Sequence, residues 1–276
     1  MRQFVNKILL SIVIFNACCW IGGPFFIQNQ GNSNIYEALS LICTNTEAHK
    51  IILGDSVGEQ IYPESKSSNP KILCATTNRA IGLVGQLILL KHFLKTRSTE
   101  KVKQVHIVMH PGSYGARLDE KFTFNYFHQP FRHHIQRLEI PKHISSKVHP
   151  PFLMATMQFF PAARIVPYDI LTGNTLVPPM RSNPEIMEYT DWAMNQLDSI
   201  AETGVNIHFH CAPLQSNWQD STFSNLNAYF DTFKNLTFHY TASELIFMDR
   251  EFFREGIHFN SIGLRKLGVD PLNLLH

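Results

Sequence analysis

The chain has 276 residues, of which 44% are apolar and 17% charged, with a formal net charge of +2 when histidine is neutral. This length and apolar share fit a folded protein of one large domain or two small ones, and exclude a disordered chain. The near-zero charge, with no long basic block, lacks the electrostatic footprint of a nucleic-acid binder, and no repeat of fixed period is found.

The amino-terminal stretch "MRQFVNKILLSIVIFNACCWIGGPFFIQ" carries Arg2 and Lys7, and the next charge is Glu37. Its apolar part, from Ile8 to Ile27, is about 20 residues long, enough for a helix to cross the hydrocarbon core of a bilayer. Positive charge on the amino side predicts that this end stays in the cytoplasm and that the rest is exported. Residues 1–28 are therefore expected to be a single-pass membrane anchor, with the globular part, 29–276, extracytoplasmic. Two other readings stand beside it: secretion after signal cleavage, and a buried N-terminal element of a soluble protein. The apolar core is longer than a cleavable signal needs, and the bulky Trp20, Phe25 and Phe26 close it in place of a small-x-small site. "QNQGNSN" reads as a polar linker.

"KIILGDS" is a β-branched run ending in Gly-Asp-Ser, the pattern of a buried parallel strand with a loop at its carboxyl end. "KILCATTN" is a second such run. "AIGLVGQLILLKHFLK" follows with Leu83, Leu87, Leu90 and Leu94 at helical spacing. "KQVHIVMHPGS" reads as a third strand, closed by Pro111-Gly112. From Tyr114 to Met180 the chain turns rich in phenylalanine, histidine and proline and is too long for a simple connection. It is expected to be an insertion or lid, at about 114–180. "EIMEYTDWAMNQLDSIAETG" is helical, with Gly204 as its C-cap. "VNIHFHCAPL" is a fourth strand, "ELIFMDREFF" holds a short fifth, and "NSIGLRKLG" begins the last helix. Strands alternating with helices predict an α/β protein with a mostly parallel sheet. In such sheets ligands bind outside the carboxyl ends of the strands, where Ser56 lies.

The five cysteines, Cys18, Cys19, Cys43, Cys74 and Cys211, form no C-x-x-C pair. Two fall in the apolar N-terminal segment, which leaves an odd number, so no disulfide framework is expected. Of the 14 histidines, His208 and His210 alternate on one strand and share a face, and His133 and His134 fall in the insertion. None has a recognised metal-ligand spacing, and no metal or other cofactor is expected.

A serine hydroxyl needs a base within hydrogen-bond reach and an acid orienting that base. The stretch "MDREFFREGIHFNSIG" offers both. His258 precedes a helix start, in what reads as a loop. Glu255 lies three residues upstream, with Gly256 between them to let the backbone turn. Asp249 is the competing acid. Asp55 reads as a hydrogen-bonder of the serine loop.

Together, "GDSxG" near the start and acid-x-x-His near the end resemble the first and last blocks of the SGNH (GDSL) hydrolase superfamily. The likeness runs from about Ile51 to Gly268 and is better at the ends than in the middle. It implies a flavodoxin-like three-layer α/β/α sandwich, with Ser56 as nucleophile and His258 and Glu255 completing the triad. "ATTNRAIG" supplies Asn78 and Gly82 for the second block. The resemblance implies an oxyanion hole from the amides of Ser56 and Gly82, with Asn78 near it. The third block, usually Gly-x-Asn-Asp, is replaced by "VMHPGSYG", and Ser113 stands there either as a substitute donor or as a turn residue. The usual last-block aspartate is replaced by Glu255.

The chain resembles in particular exported members with one N-terminal anchor and a degenerate third block, which place or remove O-acetyl groups on cell-surface polysaccharides. That implies a serine esterase or O-acyltransferase acting on an acylated carbohydrate or small ester, beside partner proteins of a polysaccharide-modification system. Two alternatives remain. One is a non-catalytic glycan-binding or assembly module on the same fold, favoured by the altered third block. The other is a lipase or thioesterase at the membrane surface, favoured by the aromatic insertion.

Overall fold

Short aliphatic runs with loops at their carboxyl ends assemble a parallel sheet. The computed structural model describes residues 2–27, 33–67, 69–78, 81–96, 102, 104–116, 118, 127, 130–131, 186–218 and 220–276. Two compact units divide the chain: Met1–Tyr36 with Leu118–Val177, and Glu37–Arg117 with Pro178–His276.

In the first unit α1 (Arg2–Ile27) is a 26-residue helix, followed by the start of α2 (Ser33–Thr44). Among the described residues no helix is long and apolar enough to cross a membrane. The expected span therefore rests on the sequence alone. Most of the expected insertion, with His133 and His134, lies outside the described residues.

The second unit holds β1 (Lys50–Gly54), β2 (Ile72–Cys74), β3 (Gln104–Met109), β4 (Asn206–Cys211), β5 (Leu214–Gln215) and β6 (Leu236–His239). Five of these strands form one sheet in the order β2-β1-β3-β4-β6, and every pairing in it is parallel. The fold is thus mixed α/β with a mostly parallel sheet. On one face, Ile52, Ile72, Cys74 and Val108 pack with Val57 and Ile61 of α3 (Ser56–Ile61) and with Phe252, Phe253 and Phe259. On the other, Ile51, Leu53, Ile107 and Phe209 are fully or almost fully buried. There α5 (Glu188–Glu202) packs against α4 (Gly82–Lys95), β4 and β6. Gly204 follows α5 at φ 98°, and its amide donates to the Ala201 carbonyl, as a C-terminal glycine cap does.

The fifth strand differs from the sequence expectation. Phe247–Met248 forms β7, which pairs only with β5 in a separate two-stranded sheet. The sheet's edge is β6, in "NLTFHY". Its anchor is Phe238, stacked on Phe209 at 5.1 Å and on Phe230 at 4.3 Å, whereas Phe247 is 43% exposed. Phe230 ends α6 (Asp220–Phe230). His258 also differs: it lies not in a loop but in β9 (His258–Phe259), antiparallel to β8 (Phe253–Glu255). Asn260 then caps α7 (Ser261–Leu267), accepting from the amides of Ile262 and Gly263.

Candidate active site

β1 and β3 are the strands where the sheet order reverses, and the crevice outside their carboxyl ends is where a doubly wound sheet binds ligands. Gly54 ends β1, Asp55 caps α3, and Ser56 is the first residue of that helix. Asp55 is 1% exposed, and all its hydrogen bonds hold the loop. Its Oδ1 accepts from the amides of Val57 (2.9 Å) and Gly58 (3.1 Å). Its Oδ2 accepts from the His110 amide (2.8 Å) and the Ser113 hydroxyl (2.5 Å). Burial pushes the Asp55 carboxyl up, and these four bonds oppose it. The two glycines flanking the motif have a steric cause. A Cβ on Gly54 or Gly58 would meet the Val108 carbonyl oxygen at 2.3 or 2.6 Å.

His110 and Ser113 thus hold the acid next to Ser56. Ser113 is buried and its hydroxyl is committed to Asp55. His110 caps the turn Pro111–Gly115 through Nδ1, and its ring meets Trp218 edge-on at 4.6 Å.

The chain brings His258 to the serine from 202 residues away: Ser56 Oγ stands 2.9 Å from His258 Nε2. Both side chains are half-buried, so solvent reaches them. When the imidazole carries its proton on Nδ1, the serine hydroxyl donates to Nε2, the arrangement a general base needs. Gly256 turns the β8–β9 hairpin at φ 54°, and the register sets Glu255 opposite His258. The Glu255 side chain lies outside the described residues. Asp249 is exposed and makes no side-chain cap bond to the turn Arg250–Phe252 that it precedes.

Asn78 lies on the connection from β2 to α4, and Gly82 is the first residue of that helix. That connection is fixed to the end of β1 by bonds from Ala75 N to the Ile52 carbonyl (2.8 Å) and from Thr77 N to the Gly54 carbonyl (2.9 Å). It therefore reaches the same end of the sheet as Ser56.

Three glutamines that the sequence reading passed over hold this site. Gln86 of α4, 1% exposed, donates to the Gly54 carbonyl (2.8 Å) and accepts from its amide (3.2 Å). Gln60 of α3 makes the same two-point bond to Phe259, next to His258. Gln215 donates to the Gly256 carbonyl at the hairpin tip. Gln86 had a signal, as a polar residue inside the apolar run "GLVGQLILL". Gln60 had none.

His208 and His210 join His106 and His239 in a cluster across β3, β4 and β6. His106 Nδ1 is 2.9 Å from His210 Nε2, and the rings of His210 and His239 stack at 4.4 Å. Among the described residues no group of histidine, cysteine and acidic side chains is arranged to hold a metal ion.

No known family profile matches the chain, and no curated protein does. A solved structure described as a candidate platelet activating factor from Streptococcus pneumonia aligns over 95% of this chain and 100% of its own, with 11% identity and a TM-score of 0.43. The functional reading therefore rests on the site itself.

Proposed function

We propose that the protein is a serine esterase or O-acyltransferase of the SGNH type on a flavodoxin-like three-layer sandwich. The observation that carries this reading is the 2.9 Å approach of Ser56 Oγ to His258 Nε2 at the carboxyl end of β1. The strand order β2-β1-β3-β4-β6 supports the fold, since it is the order of doubly wound sheets that bind ligands at this reversal.

His258 takes the serine proton as Ser56 Oγ attacks an acyl carbonyl. The amides of Ser56 and Gly82, with Asn78, are the donors for the resulting oxyanion. His258 then protonates the departing alcohol, which leaves an acyl-Ser56. In the second half-reaction His258 deprotonates water, in an esterase, or a sugar hydroxyl, in a transferase, and the acyl group leaves the serine. Glu255, set opposite His258 in the hairpin, is the acid that fixes the imidazole. This chemistry needs no cofactor. The sequence resemblance and the apolar N-terminus support O-acetyl groups of a cell-surface polysaccharide as substrate, with α1 as a membrane anchor and the second unit outside the cytoplasm.

A non-catalytic glycan-binding role draws on the commitment of Ser113 to Asp55, which leaves the third block without a side-chain donor to an oxyanion. A fluorophosphonate probe separates the two readings. Labelling of Ser56 that is lost in Ser56→Ala and His258→Ala, both still folded, is the expected result, together with loss of p-nitrophenyl acetate turnover. A folded wild-type protein that resists the probe and turns over no ester would leave the binding role.

A further inference from the structure

We propose that Gln60 is the positioning residue that holds His258 in attacking register with Ser56, an inference that rests on the acyl-transfer reading of this site. Ser56 and Gln60 are four residues apart in α3, and so lie one turn apart on one helix face. Their partners, His258 and Phe259, are consecutive in β9. The Gln60 carboxamide donates from Nε2 to the Phe259 carbonyl (3.3 Å) and accepts at Oε1 from the Phe259 amide (2.9 Å). It thereby does for β9 what a neighbouring strand would do. The orientation of the carboxamide follows from its partners, because the Phe259 amide has only a donor to offer.

The hairpin needs such a hold. β8 and β9 pair at only two positions, with a register irregularity between them and a left-handed glycine at the tip. A two-stranded hairpin of that size is marginal by itself. Packing of Phe253 on Phe259, with ring centroids 4.8 Å apart, seats it on the core, and Gln215 holds its tip. Apolar packing of Phe259 in the cluster with Val57 and Ile61 brings β9 against the helix that carries the serine, but such packing is non-directional and sets no register. The two Gln60 bonds set it, one residue from the imidazole. A displacement of about 1 Å between base and nucleophile costs about 100-fold in rate. Gln86 makes the matching bond on the serine side, to Gly54.

The test compares Gln60→Met, which keeps the volume and removes both bonds, with Gln60→Glu, which keeps the acceptor for the Phe259 amide. In the full chain, kcat and KM for p-nitrophenyl acetate are measured beside the His258 imidazole resonances in histidine-labelled protein. Gln60→Met is expected to lower kcat at least about tenfold with KM within about twofold, and to move the His258 resonances while those of His106 and His210 stay in place. Gln60→Glu is expected to recover most of both. Unchanged kcat and unchanged His258 resonances in Gln60→Met would overturn the proposal. So would equal losses in both variants that track melting temperature, since those mark a purely structural bond. If the wild-type protein turns over no ester, the acyl-transfer reading fails, and the resonances still decide whether Gln60 positions His258.

Discussion

Asp55 adjoins Ser56, the proposed nucleophile, yet the hydrogen bonds of its carboxylate all go to structure. Four donors converge on one buried carboxylate: three amides and the Ser113 hydroxyl. An asparagine there would turn an NH2 toward donors on one side and strand at least one of them. We expect Asp55→Asn to cost about 2–3 kcal/mol in chemical denaturation, from lost bonds to a charged group and an unsatisfied buried donor. A variant as stable as wild type would show that the carboxylate is not what holds the loop. The acid behind His258 calls for a different experiment. Glu255 is paired with His258 by register, while Asp249 is exposed and caps nothing. A triad acid orients the imidazole, so its amide replacement costs rate rather than stability. Glu255→Gln should cut acyl-enzyme formation at least about 100-fold at a near-normal melting temperature, and Asp249→Asn should leave both near wild type. The reverse pattern in stopped-flow acylation would make Asp249 the acid. At this scale the sequence exposed the residues whose chemistry is unusual for their place, a serine after a buried strand and a histidine after Glu-Gly-Ile. It hid Gln60, because a glutamine on a half-exposed helix face looks like any solvated side chain until the strand it holds is in view.

Elements were legible where apolar spacing was long and regular. β1, β3, β4, α4 and α5 each carry several buried residues at their own period. β6 was not legible. It has four residues with only Leu236 buried, and its place is set by Phe238 stacking on rings from β4 and α6, a tertiary cause that no local pattern carries. The histidine cluster is likewise a property of strand order. His106 and His208 are register partners, as are His210 and His239. Burial, and then the neighbouring charges of His208, Lys50 and His239, lower His106 to about 3. Burial, followed by His106, His239 and His208, lowers His210 to about 2. An unfolded histidine titrates near 6.5, so between that value and about 3 the unfolded chain binds protons that the native sheet refuses. Stability from these groups is fully present above about 6.5 and is lost as pH falls through this window, by about 1.4 kcal/mol per pH unit for each histidine. Urea unfolding at pH 7, 6, 5 and 4 should show that slope, and His106→Gln should flatten it by close to one proton. An unchanged slope in the variant would mean that His106 titrates normally in the native sheet.

The whole molecule joins a sheet that is legible in outline to an N-terminal helix of a different character. In the second unit the large apolar residues are mostly buried, while in α1 they lie open: Phe4, Leu9, Val13 and Phe15 are 56–67% exposed. A contiguous run of exposed apolar side chains marks a surface made for another apolar phase. The sequence supplies its length and the positive charge before it, with Arg2 and Lys7 ahead of an uncharged stretch that lasts to Glu37. Under the proposed anchor, these features set the amino end of the segment in the cytoplasm. A polysaccharide substrate outside the cytoplasm requires that topology, whereas a small cytoplasmic ester does not. Fusing alkaline phosphatase, which folds only where disulfides form, after His276 should therefore give active reporter, and deleting residues 2–27 should abolish the signal. Carbonate washing should leave the full chain in the membrane fraction if the helix is retained, and should release it if the segment is cleaved. An inactive reporter, with the intact chain recovered from the cytoplasm without detergent, would remove the anchor and the cell-surface substrate together, and leave Ser56 and His258 to act on an intracellular ester.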